Sequence, residues 1–239
     1  MISWRIHHAK ETASTNIDAR GGAHGEVFVA DFQTAGRGRL DHRWLSSPGT
    51  NLMMSAVLSV EGLGAEQTVT LPLVVGLSVC EALASFLLPS RRPLLKWPND
   101  VLVEERKLAG ILCERMDDHV IVGIGVNVAQ TEFPPELSER ATSLACEGPS
   151  VPSCTVVRDA VLARLSNNYE VWRLGGFASV YPQIAAIDTL KGRWLLVRQT
   201  DDDTNPVRGI SGGIRADGSL DVGGVGVYAG EAHVLCMGA

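Results

Sequence analysis

Between Gln33 and Trp44 the chain reads QTAGRGRLDHRW, in which Arg37 and Arg39 alternate with Gly36 and Gly38. A guanidinium matches carboxylate or phosphate oxygens in a bidentate fork, and glycine lets backbone N–H groups approach the same oxygens. The stretch suits a loop that closes over an anion, although a lone GRGR fits a solvated basic loop equally well. A further cation, Lys96, ends the apolar run of Leu94-Leu-Lys96-Trp-Pro-Asn-Asp100, where Pro98 stiffens the chain just after it. Hydroxyls and an amide gather at Ser14-Thr15-Asn16. Ser14 or Thr15 fits a helix N-cap, and the free N–H donors of a helix start also suit a polar ligand. Asn127 is a polar side chain in an apolar run; a buried amide satisfied by a neighbouring loop and a ligand contact fit it equally. Gly110, Gly123 and Gly125 interrupt strand-like segments, which favours a ligand lying against the backbone over simple bulges.

These groups need a scaffold, and 239 residues with 45% hydrophobic character allow one large domain, or one of usual size with a small appendage. Lys and Arg total 21 against 27 Asp and Glu, a formal charge of -6, so nothing in the charge argues for nucleic acid or an anionic membrane. The Gln33–Trp44 loop is basic against that acidic background. The cysteines at 80, 113, 146, 154 and 236 are odd in number and lack CxxC spacing, which reads as reduced thiols in a cytoplasmic protein. The N-terminus MISWRIHHAKE has no continuous apolar core of a signal peptide. No stretch holds the roughly 18 uncharged apolar residues of a membrane span, so the expectation is a soluble protein that is not exported.

Trp4 to His8 alternates as a strand, as does Glu26 to Phe32, which delivers the basic loop at its end. Asn51 to Val60 is the next strand, and Ala65 to Leu88 reads as one long buried helix with Pro72 near its start. Val101–Val103 and Leu108–Glu114 form a hairpin about the turn Glu104–Arg106, and Val120–Val128 adds another strand. Pro134 to Cys154 reads as a surface loop, and Thr155 to Leu174 as a helix ending at Gly175-Gly176. From about Asp188 the pattern changes to short β segments joined by Gly, Asp and Asn turns: a small all-β unit with little scope for chemistry of its own.

Taken together the chain resembles the biotin protein ligase family, the biotin–[carboxyl-carrier protein] ligases. The matching elements are Ser14-Thr15-Asn16, Gln33 with Gly36-Arg37-Gly38-Arg39 and Trp44, Lys96-Trp97-Pro98-Asn99-Asp100, Lys107-Leu-Ala-Gly110-Ile, and Gly123-Ile-Gly125-Val-Asn127. The resemblance implies an α+β fold, a mixed sheet flanked by helices as in class II aminoacyl-tRNA synthetases, over residues 1–187. It implies an SH3-like barrel over 188–239. It places Ser14, Thr15, Asn16, Gln33 and Gly36 around the biotin ureido group, with Gly110, Gly123 and Gly125 along its apolar pocket. Arg37, Gly38, Arg39 and Lys96 would meet the biotin carboxylate and nucleotide phosphate, with Trp44 and Asn127 near adenine. Many relatives carry Gly-Arg where this chain has Asp41-His42-Arg43, which leaves open whether Arg43 supplies the third positive charge. Only about a dozen residues precede Ser14, so no DNA-binding segment is expected.

What the resemblance implies chemically is a two-step ligase. The biotin carboxylate attacks the α-phosphorus of ATP, with Mg²⁺ on the departing pyrophosphate, and a lysine of a carrier domain, such as that of acetyl-CoA carboxylase, then takes biotin from biotinyl-5′-AMP. Lys96, Arg37 and Arg39 would offset the repulsion between the two anions, in a monomer or homodimer. Two rivals remain: a lipoate or octanoate transferring enzyme of similar fold, and a non-catalytic biotin-binding relative. Gln33 with the GRGR loop argues against the first, and intact Arg37, Arg39 and Lys96 against the second.

Overall fold

The computed structural model describes residues 2–40, 42–198 and 205–235. Seven strands build the main sheet: β1 (Arg5–Thr12), β2 (Glu26–Gln33), β3 (Asn51–Ser59), β4 (Leu94–Lys96), β5 (Asp100–Val103), β6 (Arg106–Met116) and β7 (His119–Asn127). Their order is β1-β2-β3-β7-β6-β5-β4. Only β1 and β2 run parallel; the remaining pairs are antiparallel. The turn from β5 to β6 is tight because Glu104 and Glu105 both take positive φ, 47° and 68°, the backbone of a type I′ hairpin.

Alternation along β3 and β7 decides which face holds the core. Ala56, Leu58, Val120 and Val122 point to one side and join a single apolar core with α3 (Leu71–Leu83) and α5 (Cys154–Gly175). Val57 and Ile121 point to the other, where they meet Ala19 after the short α1 (Thr15–Asp18). The helices leave part of that second face open, and the chemistry lies there.

The expected helix over 65–88 is divided into α2 (Ala65–Thr68) and α3, with Pro72 in the first turn of α3. Pro72 lacks an N–H and its fixed φ suits a helix start, so the chain restarts there. By length and hydropathy the 65–86 segment could cross a bilayer, yet two thirds of its most apolar window is buried inside the protein. It is the core helix of the fold. Ser14 is the N-cap of α1, as expected, but its side chain makes no capping bond. The stretch from Pro134 to Cys154 is more than a surface loop. Ala141–Leu144 are buried, α4 (Leu144–Glu147) follows, and the Glu147 carboxylate sits between the guanidiniums of Arg91 and Arg106.

After α6 (Tyr181–Ala186) the chain forms a five-stranded antiparallel sheet from β8 (Trp194–Arg198), β9 (Val207–Ile214), β10 (Leu220–Val222), β11 (Val225–Val227) and β12 (Glu231–Val234), ordered β11-β10-β9-β8-β12. Its core side chains continue the main core. Trp97 Nε1 donates to the Gly218 carbonyl at 3.2 Å, and Leu95 N donates to the Ile187 carbonyl at 2.8 Å. The second sheet and the segment that leads into it are therefore stitched to the turn after β4 and to β4 itself.

Candidate functional site

Strand register puts a row of functional positions across the open face. Met53 of β3 pairs with Gly125 of β7, Gly125 with Gly110 of β6, Gly110 with Asp100 of β5, and Asp100 with Lys96 of β4. Two positions along β3, β7 and β6, Ser55, Gly123 and Leu112 form a parallel row. Residues separated by dozens of positions thus share one surface because side chains on paired strands at the same level point the same way.

A cleft of about 130 Å³ lies over these rows. Its polar end is built from α1 and the end of β2. Gln33 Oε1 accepts from Thr15 N at 2.7 Å and lies 3.1 Å from Thr15 Oγ1. Ser55 Oγ is 2.7 Å from Thr15 Oγ1 and 2.6 Å from Asn16 Oδ1. Asn16 Nδ2 donates to Glu114 Oε2 at 2.6 Å. Two hydroxyl protons face three contacts: Thr15 Oγ1 gives its proton to Gln33 Oε1, and Ser55 Oγ has a single proton for Thr15 Oγ1 and Asn16 Oδ1 together. The array has more acceptors than donors, and it suits a ligand that brings N–H groups.

The middle of the cleft is floored by glycine because nothing larger fits. A Cβ on Gly123 would lie 2.2 Å from Asn16 Oδ1, and one on Gly125 would lie 2.6 Å from Trp44 Cε2. The Trp44 indole lies across Gly125 and Gly110, its Nε1 is buried without a hydrogen-bond partner, and Lys107 Nζ stands 5.9 Å from its centre. The loop that carries Trp44 folds back on itself: Trp44 N donates to the Gly36 carbonyl at 3.0 Å and Gly38 N to the His42 carbonyl at 2.7 Å. Gly36 has no room for a side chain there, since a Cβ would meet the Trp44 carbonyl at 2.6 Å.

The charged end collects Arg37, Arg39, Arg43, Lys96 and Lys107. Arg37 Nη1 donates to Glu114 Oε1 at 2.9 Å. Arg39 Nη1 donates to Asn99 Oδ1 and to the Gly230 carbonyl, each at 3.3 Å. Burial pulls the Arg39 guanidinium below its usual range, opposed by the nearby carboxylates of Asp100 and Glu231. Arg43 Nη2 donates to the Thr34 carbonyl at 3.2 Å, so this cation does line the cleft where the loop departs from the family pattern; Asp41 lies outside the described residues. Lys107 Nζ pairs with Asp100 Oδ1 at 2.7 Å.

Ser14, Thr15, Asn16, Gln33, Arg37, Gly38, Arg39, Trp44, Lys96, Gly110, Gly123 and Gly125 all line the cleft. Gly36 lies just behind it, against Gln33 Nε2. Asn127 is set apart: its Nδ2 donates to the Thr142 carbonyl at 2.9 Å, which holds the 141–144 segment against β7. Two charged lining residues are given no role by the sequence alone. Lys107 stands in the sequence only as part of a motif, and its pairing with Asp100 follows from the β5–β6 hairpin. Glu231 reaches the rim from β12, and nothing local marks it. Cys80, Cys113, Cys146 and Cys154 are free thiols, with Cys113 pushed up to about 12 by burial, while Cys236 falls outside the described residues. Among the described residues no group of three or more His, Cys, Asp or Glu could hold a metal ion.

Residues 7–127 match the model of the biotin/lipoate A/B protein ligase family. The chain is 35% identical over 191 residues to the biotin–[acetyl-CoA-carboxylase] ligase of Mycobacterium tuberculosis, covering 77% of this chain and 69% of that one. To a bifunctional ligase/repressor of Bacillus spizizenii it is 32% identical over 75% of its own length, and it spans only 55% of that protein. Its fold matches a biotin protein ligase from Aquifex aeolicus, solved in complex with biotin and ATP, with a TM-score of 0.81 and 32% identity over 96% of this chain and 95% of that one. The row of glycines, the polar array and the cation cluster described above thus stand in a chain that belongs to the biotin/lipoate protein ligase family, on its biotin ligase branch.

Proposed function

We propose that this protein is a biotin protein ligase, which activates biotin with ATP as biotinyl-5′-AMP and transfers it to a lysine of a biotin carboxyl carrier protein or domain. The observation that carries the choice of acid is the acceptor-rich array of Gln33, Thr15, Ser55 and Asn16. A ureido ring brings two N–H donors and a carbonyl to such an array. Lipoate and octanoate bring no N–H, and with either of them the array would stay one proton short.

In the first step a carboxylate oxygen of biotin forms a bond to the α-phosphorus and pyrophosphate leaves. Two anions must approach, and Lys96, Lys107, Arg37 and Arg39 line the end of the cleft where they would meet. Their charge offsets the repulsion and stabilises the oxygens of the transferring group. Asp100 holds Lys107 at 2.7 Å and so aims it. Glycine at 110 and 125 seats the Trp44 indole against the sheet, where its ring offers an aromatic face to the thioether ring and alkyl chain of biotin. Water would hydrolyse the mixed anhydride, and the folded-back loop Gly36–Trp44 covers it. In the second step the neutral amine of the carrier lysine attacks the acyl carbon and AMP leaves.

Magnesium fits this site as a companion of the nucleotide rather than as a resident ion, because Mg²⁺ is commonly held by one or two carboxylates and substrate phosphates. Among the described residues, Asp100 and Glu231 are the carboxylates that line the cleft. When bound, the ion would neutralise charge on the leaving pyrophosphate. Residues 1–187 form the catalytic part in this reading, with 188–239 an accessory unit that completes its rim. Reduced thiols fit a cytoplasmic setting.

The test is to incubate the protein with Mg-ATP and either biotin or lipoate, and to look for the acyl-adenylate by mass spectrometry. Biotinyl-AMP alone is expected. Lipoyl-AMP in its place would assign the protein to the other branch, and binding of biotin without any adenylate would leave a binding protein.

A further inference from the structure

Glu114 joins the two ends of the cleft. Its Oε2 accepts from Asn16 Nδ2 at 2.6 Å, and its Oε1 accepts from Arg37 Nη1 at 2.9 Å. The two donors differ in kind. Asn16 is 4% exposed and fixed by Ser55 on its other side, whereas the Arg37 side chain is 44% exposed and sits on the glycine-flanked loop. Arg20 Nη2 stands farther from the same carboxylate, at 3.9 Å. So one oxygen of Glu114 is locked to the buried polar array, and the other holds a cation by a half-exposed ion pair of the weak, easily exchanged kind.

We propose that Glu114 is a positioning residue that holds Arg37 in reserve while the site is free and hands it over to the nucleotide phosphate when substrates arrive. The inference rests on the adenylating reading of the site. The exchange is favourable because a phosphate carries more charge than a carboxylate and matches the guanidinium fork equally well. While the site is free, the pair keeps Arg37 from an arbitrary anion and keeps the loop near Asn16. No bond is made or broken in the handover.

The test separates the two oxygens. Glu114→Gln can still accept from Asn16 through its amide oxygen, but it presents N–H groups or a neutral dipole to Arg37. The expected result is a split: the KM for Mg-ATP falls by about two- to fivefold, the range of an exposed ion pair, while the Kd for biotin stays within about twofold. Glu114→Ala leaves Asn16 Nδ2 without its acceptor, so there biotin binding weakens by about tenfold. Both expectations are read on protein whose melting temperature is recorded alongside. Parallel weakening of both ligands in Glu114→Gln, or no change in either, would overturn the proposal and leave Glu114 a structural carboxylate. Should Glu114→Gln fold poorly, Glu114→Asp, too short to reach both donors, must show the same fall in KM. In an Arg37→Gln background, Glu114→Gln should leave the KM for Mg-ATP unchanged; a persisting effect would show that Glu114 does not act through Arg37. A wild-type protein that makes no adenylate would sink both this inference and the ligase reading, whereas turnover without the split sinks the inference alone.

Discussion

Gly110 and Gly125 stand directly opposite one another on β6 and β7, and the Trp44 indole lies across the pair. The contact ties a loop residue to the middle of the sheet, and it is made possible only by the missing side chains.

Gly125→Ala is therefore expected to displace Trp44, because the new Cβ would fall 2.6 Å from the ring. Overpacking of this kind costs about 1–3 kcal/mol, to be read here as a fall of about tenfold or more in kcat/KM for biotin and a changed near-UV circular dichroism. Wild-type kinetics in this variant would show that the indole does not need its present seat.

Removing either lysine should slow adenylate formation on the order of 10²-fold or more, as for other preorganised electrostatic donors. Lys96→Ala should retain some biotin binding. Lys107→Ala should be the more damaging, since it also leaves the Asp100 carboxylate facing the incoming phosphates. Pyrophosphate exchange measures both, and Asp100→Asn in the Lys107→Ala background should recover part of the loss. An unchanged exchange rate would remove that lysine from the mechanism.

Gln33→Leu is expected to weaken biotin binding by roughly 5- to 150-fold, the equivalent of about 1–3 kcal/mol for partners left unpaired. Thr15 N and Thr15 Oγ1 would both lose their acceptor. Titration calorimetry should show a much smaller effect on ATP; equal losses for both ligands would point instead to a collapse of α1.

Glu147 should make the protein sensitive to acid. Burial alone would push its carboxyl up, but the Thr142 hydroxyl and the guanidiniums of Arg91 and Arg106 outweigh this and hold it below the usual carboxylate range. A group depressed in the folded state contributes stability that is complete above its unfolded pKa and is lost as pH falls through the folded value. Glu147→Gln should lower stability by about 1–3 kcal/mol at neutral pH, and its melting temperature should begin to converge with wild type as pH falls below the ordinary glutamate value of about 4.3. A constant gap down to the acid limit would contradict the assignment.

The strands and the kinds of chemistry were legible in the chain, because alternation of apolar residues, Gly-rich turns and clustered Arg, Lys and amide side chains are local signals. Glu26–Gln33 and Asn51–Ser59 lie where the period-two pattern places them, and the change of texture near Asp188 coincides with the start of the second sheet. Three things were decided by tertiary structure. Register across five strands set Met53, Gly125, Gly110, Asp100 and Lys96 in one row, a relation between segments that no single stretch encodes. Packing turned the 141–147 stretch from polar loop to buried clamp, since the Asn127 amide, the Lys107 backbone and two distant arginines had partners to offer it. The second sheet, which looked too small to matter to the chemistry, brings Gly230 and Glu231 to the rim because β12 packs beside Arg39. A sequence names its functional groups through local composition, but which of them meet depends on long-range pairing, and that is settled only when the sheet closes over its core.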